Sequence, residues 1–243
     1  IRRLALERQA YLRLQSLLGA SCPLPRIIEF RPLGNGRAEI ELERIRGRDL
    51  AHIFYASRDQ KSIERMCGPV VERVLDMLDE WTAIDAGEDK AAFVREAREA
   101  IASRAERLRT LPQGLVPRIA LEALPHVARR LERLSEESEV VRLAKSLPHL
   151  TPSHKDLKTG NIFVEPSGNV RFIDPRFALH WASTVSSGHV MIDWVQFGFN
   201  VRRIWDEDHG EQTARIHLAK SVEDRMHLWL MRYETDGRLG RVL

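Results

Sequence analysis

The sequence contains little cysteine, no long apolar run and no large excess of one charge. Its 243 residues include two cysteines, Cys22 and Cys67, which are too few for a disulfide framework and lack metal-ligand spacing. No segment approaches the roughly 18 uninterrupted apolar residues that a membrane-spanning helix needs. We therefore expect no membrane partner, and two reduced thiols in a cytoplasmic protein.

Positive and negative charges nearly balance. The 38 Lys and Arg residues stand against 35 Asp and Glu residues, which gives a formal net charge of +3. Nucleic-acid-binding proteins concentrate much more positive charge on one face, so this balance indicates no nucleic-acid partner. Apolar residues make up 43% and charged residues 30% of the chain, which excludes a disordered protein and fits one large or two small domains.

The first fifty residues combine a helical pattern with a β-hairpin pattern. Apolar residues recur at helical spacing over residues 2–19, and Gly19 is a plausible end of that helix. Two short β-like runs follow, Arg26–Arg31 and Arg37–Ile45, and the sequence PLGNG between them is typical of a turn. This segment predicts a helix followed by an antiparallel hairpin.

The remaining two hundred residues are mainly helical, with one further β-rich segment. The runs 161–165 (NIFVE) and 170–174 (VRFID) flank the turn sequence PSGN, which predicts a second hairpin. A helical region is expected from about Ile192. Three long helices are predicted before the hairpin, at Ile63–Ala83, Lys90–Leu111 and Ile119–Leu134. Because strands and helices segregate along the chain, we predict an α+β fold.

The segment His154–Asn161 (HKDLKTGN), with Asp174 thirteen positions later, carries the chemistry. Asp156 lies on a loop just before the predicted hairpin, where its carboxylate can project into a cleft. Asn161 opens the first strand of that hairpin and Asp174 closes the second, so their side chains should converge. One carboxylate and one amide oxygen suit Mg²⁺, whose remaining ligands are typically substrate phosphates and water. The pattern predicts a Mg²⁺ site beside the acidic group of Asp156.

These residues resemble the catalytic loop of kinases, H-R-D-L-x-x-x-N followed by a metal-binding Asp. The resemblance implies that Asp156 is the catalytic base or orienter of the acceptor, with Asn161 and Asp174 as metal ligands. It also implies that Lys158 neutralises charge on the transferred phosphoryl group, while His154 and Asp193 brace the loop.

Within the kinases, the closer resemblance is to the aminoglycoside phosphotransferase-like family of small-molecule kinases. Asp174 is followed by Pro175-Arg176 rather than Phe-Gly, and Asp193, in the sequence IDW, lies only nineteen residues beyond it. A long helical insertion before the catalytic loop is also similar to that family. The resemblance implies Mg²⁺-dependent transfer of the γ-phosphoryl group of ATP or GTP to a small-molecule hydroxyl, which would be the partner besides nucleotide.

The resemblance extends upstream to Glu7, Glu43 and Ile45. Glu7 is similar to the helix-borne glutamate that pairs with an ATP-positioning lysine, and the backbone from Glu43 to Ile45 to the segment that binds adenine. We expect a kinase-like bilobal fold, with residues 1–47 as a partial N-terminal lobe and residues 48–243 as a helical C-terminal lobe. The glycine-rich phosphate loop and its lysine would precede residue 1, so we expect an N-terminally trimmed chain.

Two other functions stay open on the sequence alone. A catalytically silent binding or regulatory module would share the fold. A protein kinase is disfavoured because the short interval between Asp174 and Asp193 leaves little room for a peptide platform. Arg176 has two readings, a contact to the acceptor or phosphate and an ordinary surface ion pair.

Overall fold

The computed structural model describes residues 2–35, 37–57, 59–110, 125–129, 133, 147–177, 188–206, 220–225, 227 and 228. The chain forms two compact units. The first unit comprises Ile1–Ala86, Thr151–Phe177 and His189–Leu243, and the second comprises Gly87–Leu150 and Ala178–Gly188. The predicted lobe boundary at residue 47 is a different division and stays a prediction.

The described elements mix helices with two small sheets, which confirms the predicted α+β composition. They are, in chain order, α1 (Arg2–Leu18), β1 (Ile27–Gly34), β2 (Arg37–Leu42), β3 (Arg48–Asp49), α2 (Leu50–Ala56), α3 (Gln60–Thr82), α4 (Lys90–Thr110), β4 (Ile162–Val164), β5 (Val170–Phe172) and α5 (Met191–Asp206). Short 3₁₀ turns at Gly19–Ser21 and Thr159–Asn161 follow α1 and precede β4. Of the third predicted long helix, Ile119–Leu134, residues 125–129 are described and are helical, and the rest lies largely outside the described residues.

The N-terminal helix and hairpin form as predicted. α1 buries Tyr11, Leu14 and Leu18 in the core of the first unit, and Gly19 ends it with a positive φ of 55°. β1 and β2 then pair antiparallel as a separate two-stranded sheet, in which Phe30 faces Ile40. The apolar face of α1 therefore fixes this helix against the core of the first unit.

The second predicted hairpin is also present, and a third strand joins it. β4 pairs antiparallel with β5, and Gly168 takes a φ of 86° in the turn between them. β3 pairs with the free edge of β4, where Arg48 lies opposite Val164. A Cβ on Gly47 would lie 2.3 Å from the Val164 carbonyl oxygen, so only glycine permits this close approach.

Helix α3 supplies more of the core around this three-stranded sheet than any other element, and α5 adds Trp194, Phe197 and Val201. Asp59 caps α3 by accepting a hydrogen bond from the Ser62 N–H at 2.8 Å. The buried core side chains of the first unit come from α1, α2, α3, β4, β5 and α5, and the largest fully buried ones include Trp194, Phe54, Phe172, Phe197, Leu75 and Leu78. This core holds the sheet, and with it the loop before β4, against α5.

The described part of the second unit is mainly helical. α4 buries Phe93 and the small residues Ala92, Ala100 and Ala105. The Gly188 N–H donates to the Glu88 carboxylate at 2.7 Å. No helix in the described part of the chain combines the length and the apolarity needed to cross a bilayer.

Candidate active site

The loop between residues 153 and 161 is held from below by the first turns of α5. The backbone N–H groups of His154 and Lys155 each donate to the Asp193 carboxylate at 2.8 Å. Three residues further along α5, Gln196 accepts from the Leu157 N–H and donates to the Lys155 carbonyl, both at 3.0 Å. Asp193 and Gln196 therefore fix the loop backbone on both sides of Asp156.

Asp193 does this from a fully buried position. Its relative exposure is 0%, and burial raises the pKa of its carboxyl to about 7, against the opposing effect of the two backbone N–H donors. Lys155, at the turn of the loop, adopts a left-handed conformation with a φ of 63°. Its ammonium group donates to the Phe177 carbonyl at 2.8 Å, so this side chain ties the loop to the segment that follows Asp174.

His154 lies beneath the loop and cannot reach a substrate, since its exposure is 0%. Its Nε2 lies 2.9 Å from the Ile173 carbonyl oxygen, and its ring packs edge-on against Phe172 with centroids 6.0 Å apart. Because a carbonyl only accepts, Nε2 carries the proton of a neutral imidazole. Burial lowers the pKa of His154 to about 4. The residue ties the loop at residues 153–161 to the end of β5.

The depressed pKa of His154 predicts a pH-dependent loss of stability. Between about pH 6.5 and pH 4, His154 is protonated in the unfolded chain but neutral in the folded chain. The free energy of unfolding therefore falls as the pH falls through that window. Between pH 7.5 and pH 5 we expect this residue to cost about 2 kcal/mol. His154→Gln keeps an N–H donor for the Ile173 carbonyl and should abolish this component in urea unfolding measured at both values.

Asp193 titrates in the same range with the opposite sign, because its pKa is raised. The effect of His154 is therefore measured as the difference between the wild-type protein and His154→Gln, in which Asp193 is common to both. An equal pH dependence in the two proteins would contradict a buried neutral histidine.

The Asp156 side chain, 15% exposed, lies above the loop between two cations. Lys158 Nζ is 3.3 Å and Arg176 Nε is 3.1 Å from its Oδ2 atom. Both cationic side chains are more than 40% exposed, so they are accessible from the same side as the carboxylate. Of the two sequence readings of Arg176, the structure shows an ion pair, and its partner is the candidate catalytic residue.

Asn161 and Asp174 come together at the open end of the β4–β5 hairpin, although each lies just outside its strand. The Asn161 carbonyl accepts from the Ile173 N–H at 2.9 Å, which places Asn161 beside the residue before Asp174. The Asn161 amide nitrogen donates to the Asp156 carbonyl at 2.9 Å and lies 3.4 Å from Asp156 Oδ2. That bond uses the nitrogen and leaves the amide oxygen to accept other groups.

Asp174 sits two residues beyond β5 in a left-handed conformation with a φ of 59°. Loss of hydration around its carboxyl, and then the negative charge of Asp156, raise its pKa above the ordinary value. The negative charge of Glu7 on α1 also raises the pKa of Asp174, by a smaller amount, so Glu7 lies on this side of the molecule. Asp156 and Asp174 thus bring two carboxylates to this end of the hairpin, although the described residues contain no group of three or more His, Cys, Asp or Glu side chains that could hold a metal ion.

Glu43 and Ile45 lie in the extended segment after β2, and Glu43 contacts Arg171 of β5. The Glu43 N–H donates to the Arg26 carbonyl at 2.8 Å, while the Glu43 carboxylate accepts from the Arg26 N–H and from Arg171 at 3.1 Å each. The Arg26 N–H and then Arg171 lower the pKa of Glu43. Arg171 also donates to the carbonyls of Pro23 and Leu24, at 3.0 and 3.2 Å. Ile45 is partly buried.

Solved structures of one enzyme share this arrangement of elements. A structure of aminoglycoside phosphotransferase APH(3″)-Id from Streptomyces rimosus, in complex with ADP and streptomycin, aligns with 95% of this chain and 80% of its own, at 20% identity and a TM-score of 0.58. A second structure of that enzyme aligns over the same shares at 21% identity and a TM-score of 0.56. The chain has the aminoglycoside phosphotransferase fold. No protein-family model and no curated protein sequence matches it.

The aminoglycoside phosphotransferase fold accounts for a resemblance that the sequence carried mainly in residues 154–193. The sequence alone did not identify two residues that contact the site, Gln196 and Tyr11. Gln196 had a usable signal, because it lies three positions after Asp193 and so on the same face of α5. Tyr11 had none beyond an apolar helical pattern, because its contact with Asp174 spans 163 residues of chain.

A pocket of about 850 Å³ lies at the closed end of the same hairpin rather than at its open end. Its lining includes Glu43, Arg171 and the turn residues Gly168 and Asn169, and it excludes Asp156, Asn161 and Asp174. This pocket is therefore separate from the candidate catalytic and metal-binding residues that the sequence predicts.

Proposed function

We propose that this protein is a phosphotransferase that moves the γ-phosphoryl group of ATP or GTP to a hydroxyl group of a small molecule. One observation carries the proposal: Asp156, Asn161 and Asp174 gather at the open end of one hairpin, on a loop fixed by Asp193. The aminoglycoside phosphotransferase fold supports it, since the similar enzyme from Streptomyces rimosus was solved with ADP and streptomycin.

The donor set at the hairpin end fits a magnesium ion. Asp174 offers a carboxylate, and Asn161 offers the amide oxygen that its bond to Asp156 leaves available. Both are the hard oxygen ligands that Mg²⁺ prefers, and one or two such protein ligands are usual where nucleotide phosphates bind as well. The chemistry that such an ion supplies is neutralisation of charge on the phosphate oxygens.

Asp156 is placed to act on the acceptor. In the proposed reaction the acceptor hydroxyl donates its proton to the Asp156 carboxylate as its oxygen bonds to the γ-phosphorus. The bond from that phosphorus to the bridging oxygen breaks, and ADP or GDP leaves. Lys158 and Arg176 hold the carboxylate before reaction and place positive charge beside the phosphoryl oxygens, where charge concentrates in the transition state.

Nucleotide binding is assigned to the upstream residues. The Glu43 carbonyl and the Ile45 N–H are proposed to bind the adenine edge, in a segment whose path is fixed by Arg26 and Arg171. Glu7 is proposed to pair with the lysine that positions the phosphates. Cys22 and Cys67 are both free thiols, which supports the proposed cytoplasmic location.

The proposal is tested with full-length protein, γ-labelled ATP or GTP and a panel of aminoglycosides, sugars, choline and other amino-alcohols. We expect label on one class of acceptor in the presence of Mg²⁺, and none when the metal is removed with EDTA. Nucleotide binding without transfer to any acceptor would instead favour a silent binding module. Label on a peptide substrate would favour a protein kinase.

Asp174→Asn should weaken metal binding while leaving the fold intact. The change keeps an oxygen ligand and removes its charge, so we expect the Mg²⁺ concentration for half-maximal transfer to rise by at least the roughly 10–100-fold that loss of an outer-shell partner costs. Asp224→Asn, on an exposed part of the helix over residues 220–225, is the matched control. Equal Mg²⁺ requirements in the two variants would argue against Asp174 as a ligand.

A further inference from the structure

The backbone of Asp174 is anchored to helix α1 by a tyrosine. The Asp174 N–H donates to the hydroxyl oxygen of Tyr11 at 3.2 Å. The tyrosine is only 6% exposed, and its ring belongs to the core cluster of the first unit. A hydroxyl on a ring packed in this way has a fixed position, so it provides a rigid support for the peptide bond before Asp174.

The hydrogen bond to Tyr11 is made by a residue whose backbone conformation is otherwise unfavourable. Asp174 has a φ of 59°, a left-handed conformation that is unfavourable for an L-residue and persists only when its surroundings enforce it. The flanking residues are held from the catalytic loop: the Ile173 N–H donates to the Asn161 carbonyl and the Arg176 N–H to the His154 carbonyl, both at 2.9 Å. Tyr11 holds the N–H of Asp174 itself, from the side of α1.

The position of Tyr11 on α1 joins it to a second candidate site residue. Glu7 lies four residues earlier, so the two side chains share one face of the helix. The negative charges of Asp174 and Glu7 both act on the Tyr11 hydroxyl, and burial is the main reason that its pKa rises to about 12. The phenol oxygen accepts the Asp174 N–H as an uncharged hydroxyl, so it adds no negative charge to the site.

We propose that Tyr11 is a positioning residue that sets the backbone of Asp174, and thereby the direction in which its carboxylate is offered to a divalent cation. This inference rests on the proposed function of Asp174 as a metal ligand. It makes helix α1 part of the metal site, through the same face that carries Glu7.

Tyr11→Phe tests the inference, because it removes one hydroxyl and keeps the buried ring. Hydrogen exchange followed by mass spectrometry should show faster exchange in the peptide spanning residues 170–177, with little change elsewhere. Titration with Mn²⁺ in the presence of ADP, followed by electron paramagnetic resonance, should show metal affinity lowered about tenfold, as for loss of an outer-shell partner. Tyr55→Phe is the matched control, since Tyr55 is 52% exposed on α2.

The outcomes separate this inference from the function on which it rests. Faster exchange together with weaker Mn²⁺ binding in Tyr11→Phe alone supports it. Unchanged exchange overturns the anchoring contact, and faster exchange with unchanged Mn²⁺ affinity overturns the positioning role while the phosphotransferase proposal stands. If the wild-type protein binds no Mn²⁺ with ADP, the assignment of Asp174 as a ligand fails, and the inference fails with it.

Discussion

Asp156→Asn should lower the rate of phosphoryl transfer by about 10²–10⁴-fold, the range that a positioned acid–base group contributes. Asparagine has nearly the same shape but cannot accept the proton of the acceptor hydroxyl. It also loses the charge that holds Lys158 and Arg176. The change is measured as kcat with labelled ATP and the preferred acceptor, at saturating Mg²⁺.

The matched control is Asp76→Asn on α3. Asp76 also pairs with an arginine, since Arg225 Nη1 lies 2.8 Å from its Oδ1 atom, but it has no part in the catalytic loop. We expect the two variants to have similar unfolding curves and very different rates. Transfer by Asp156→Asn at more than a tenth of the wild-type rate would remove Asp156 from the proposed mechanism.

The second large effect is expected at Asp193, and it concerns folding. Asp193→Ala leaves the N–H groups of His154 and Lys155 without an acceptor in a region where both residues are almost fully buried. Each unsatisfied buried donor costs about 1–3 kcal/mol, so the free energy of unfolding should fall by about 2–6 kcal/mol. Urea unfolding monitored by tryptophan fluorescence measures this directly, because Trp194 is the next residue.

Asp193→Asn provides the graded comparison. Its amide keeps one acceptor oxygen for the two N–H donors, so roughly half of the loss should remain. A loss below about 1 kcal/mol in Asp193→Ala would mean that water replaces the carboxylate and that the loop does not depend on α5. Phosphoryl transfer should fall in both variants, since the loop backbone on each side of Asp156 is fixed by α5.

The β4–β5 hairpin and the residues at its open end were predictable because their signals are local. Alternating apolar residues on either side of PSGN determine the hairpin, and a hairpin brings its own ends together. The hairpin therefore brings the backbone of Asn161 beside Ile173, the residue before Asp174. The exact setting of Asn161 and Asp174 was not predictable, since each lies outside its strand and Asp174 is left-handed.

The elements that the sequence did not predict depend on partners far along the chain. β3 is two residues long, which is too short for a periodic pattern, and it exists because it pairs with β4 more than a hundred residues later. α2 had a weak local signal in Asp49, whose side chain caps it by accepting from the His52 N–H at 2.8 Å. The contact of Tyr11 with Asp174 likewise depends on folding that brings α1 to the end of β5.

Arg171 on β5 is fixed by its hydrogen bonds to Glu43, Pro23 and Leu24, so β5 sets the distance from these contacts to Asp174. Asp174 lies three positions after Arg171, and an extended chain rises about 3.3 Å per residue, so their backbones lie about 10 Å apart. The spacing between the residue that holds Glu43 and the proposed metal ligand is thus set by the short segment of chain between them. The turn at residues 166–169 can be lengthened without altering it, whereas one residue inserted after Arg171 would change the reach required of the nucleotide.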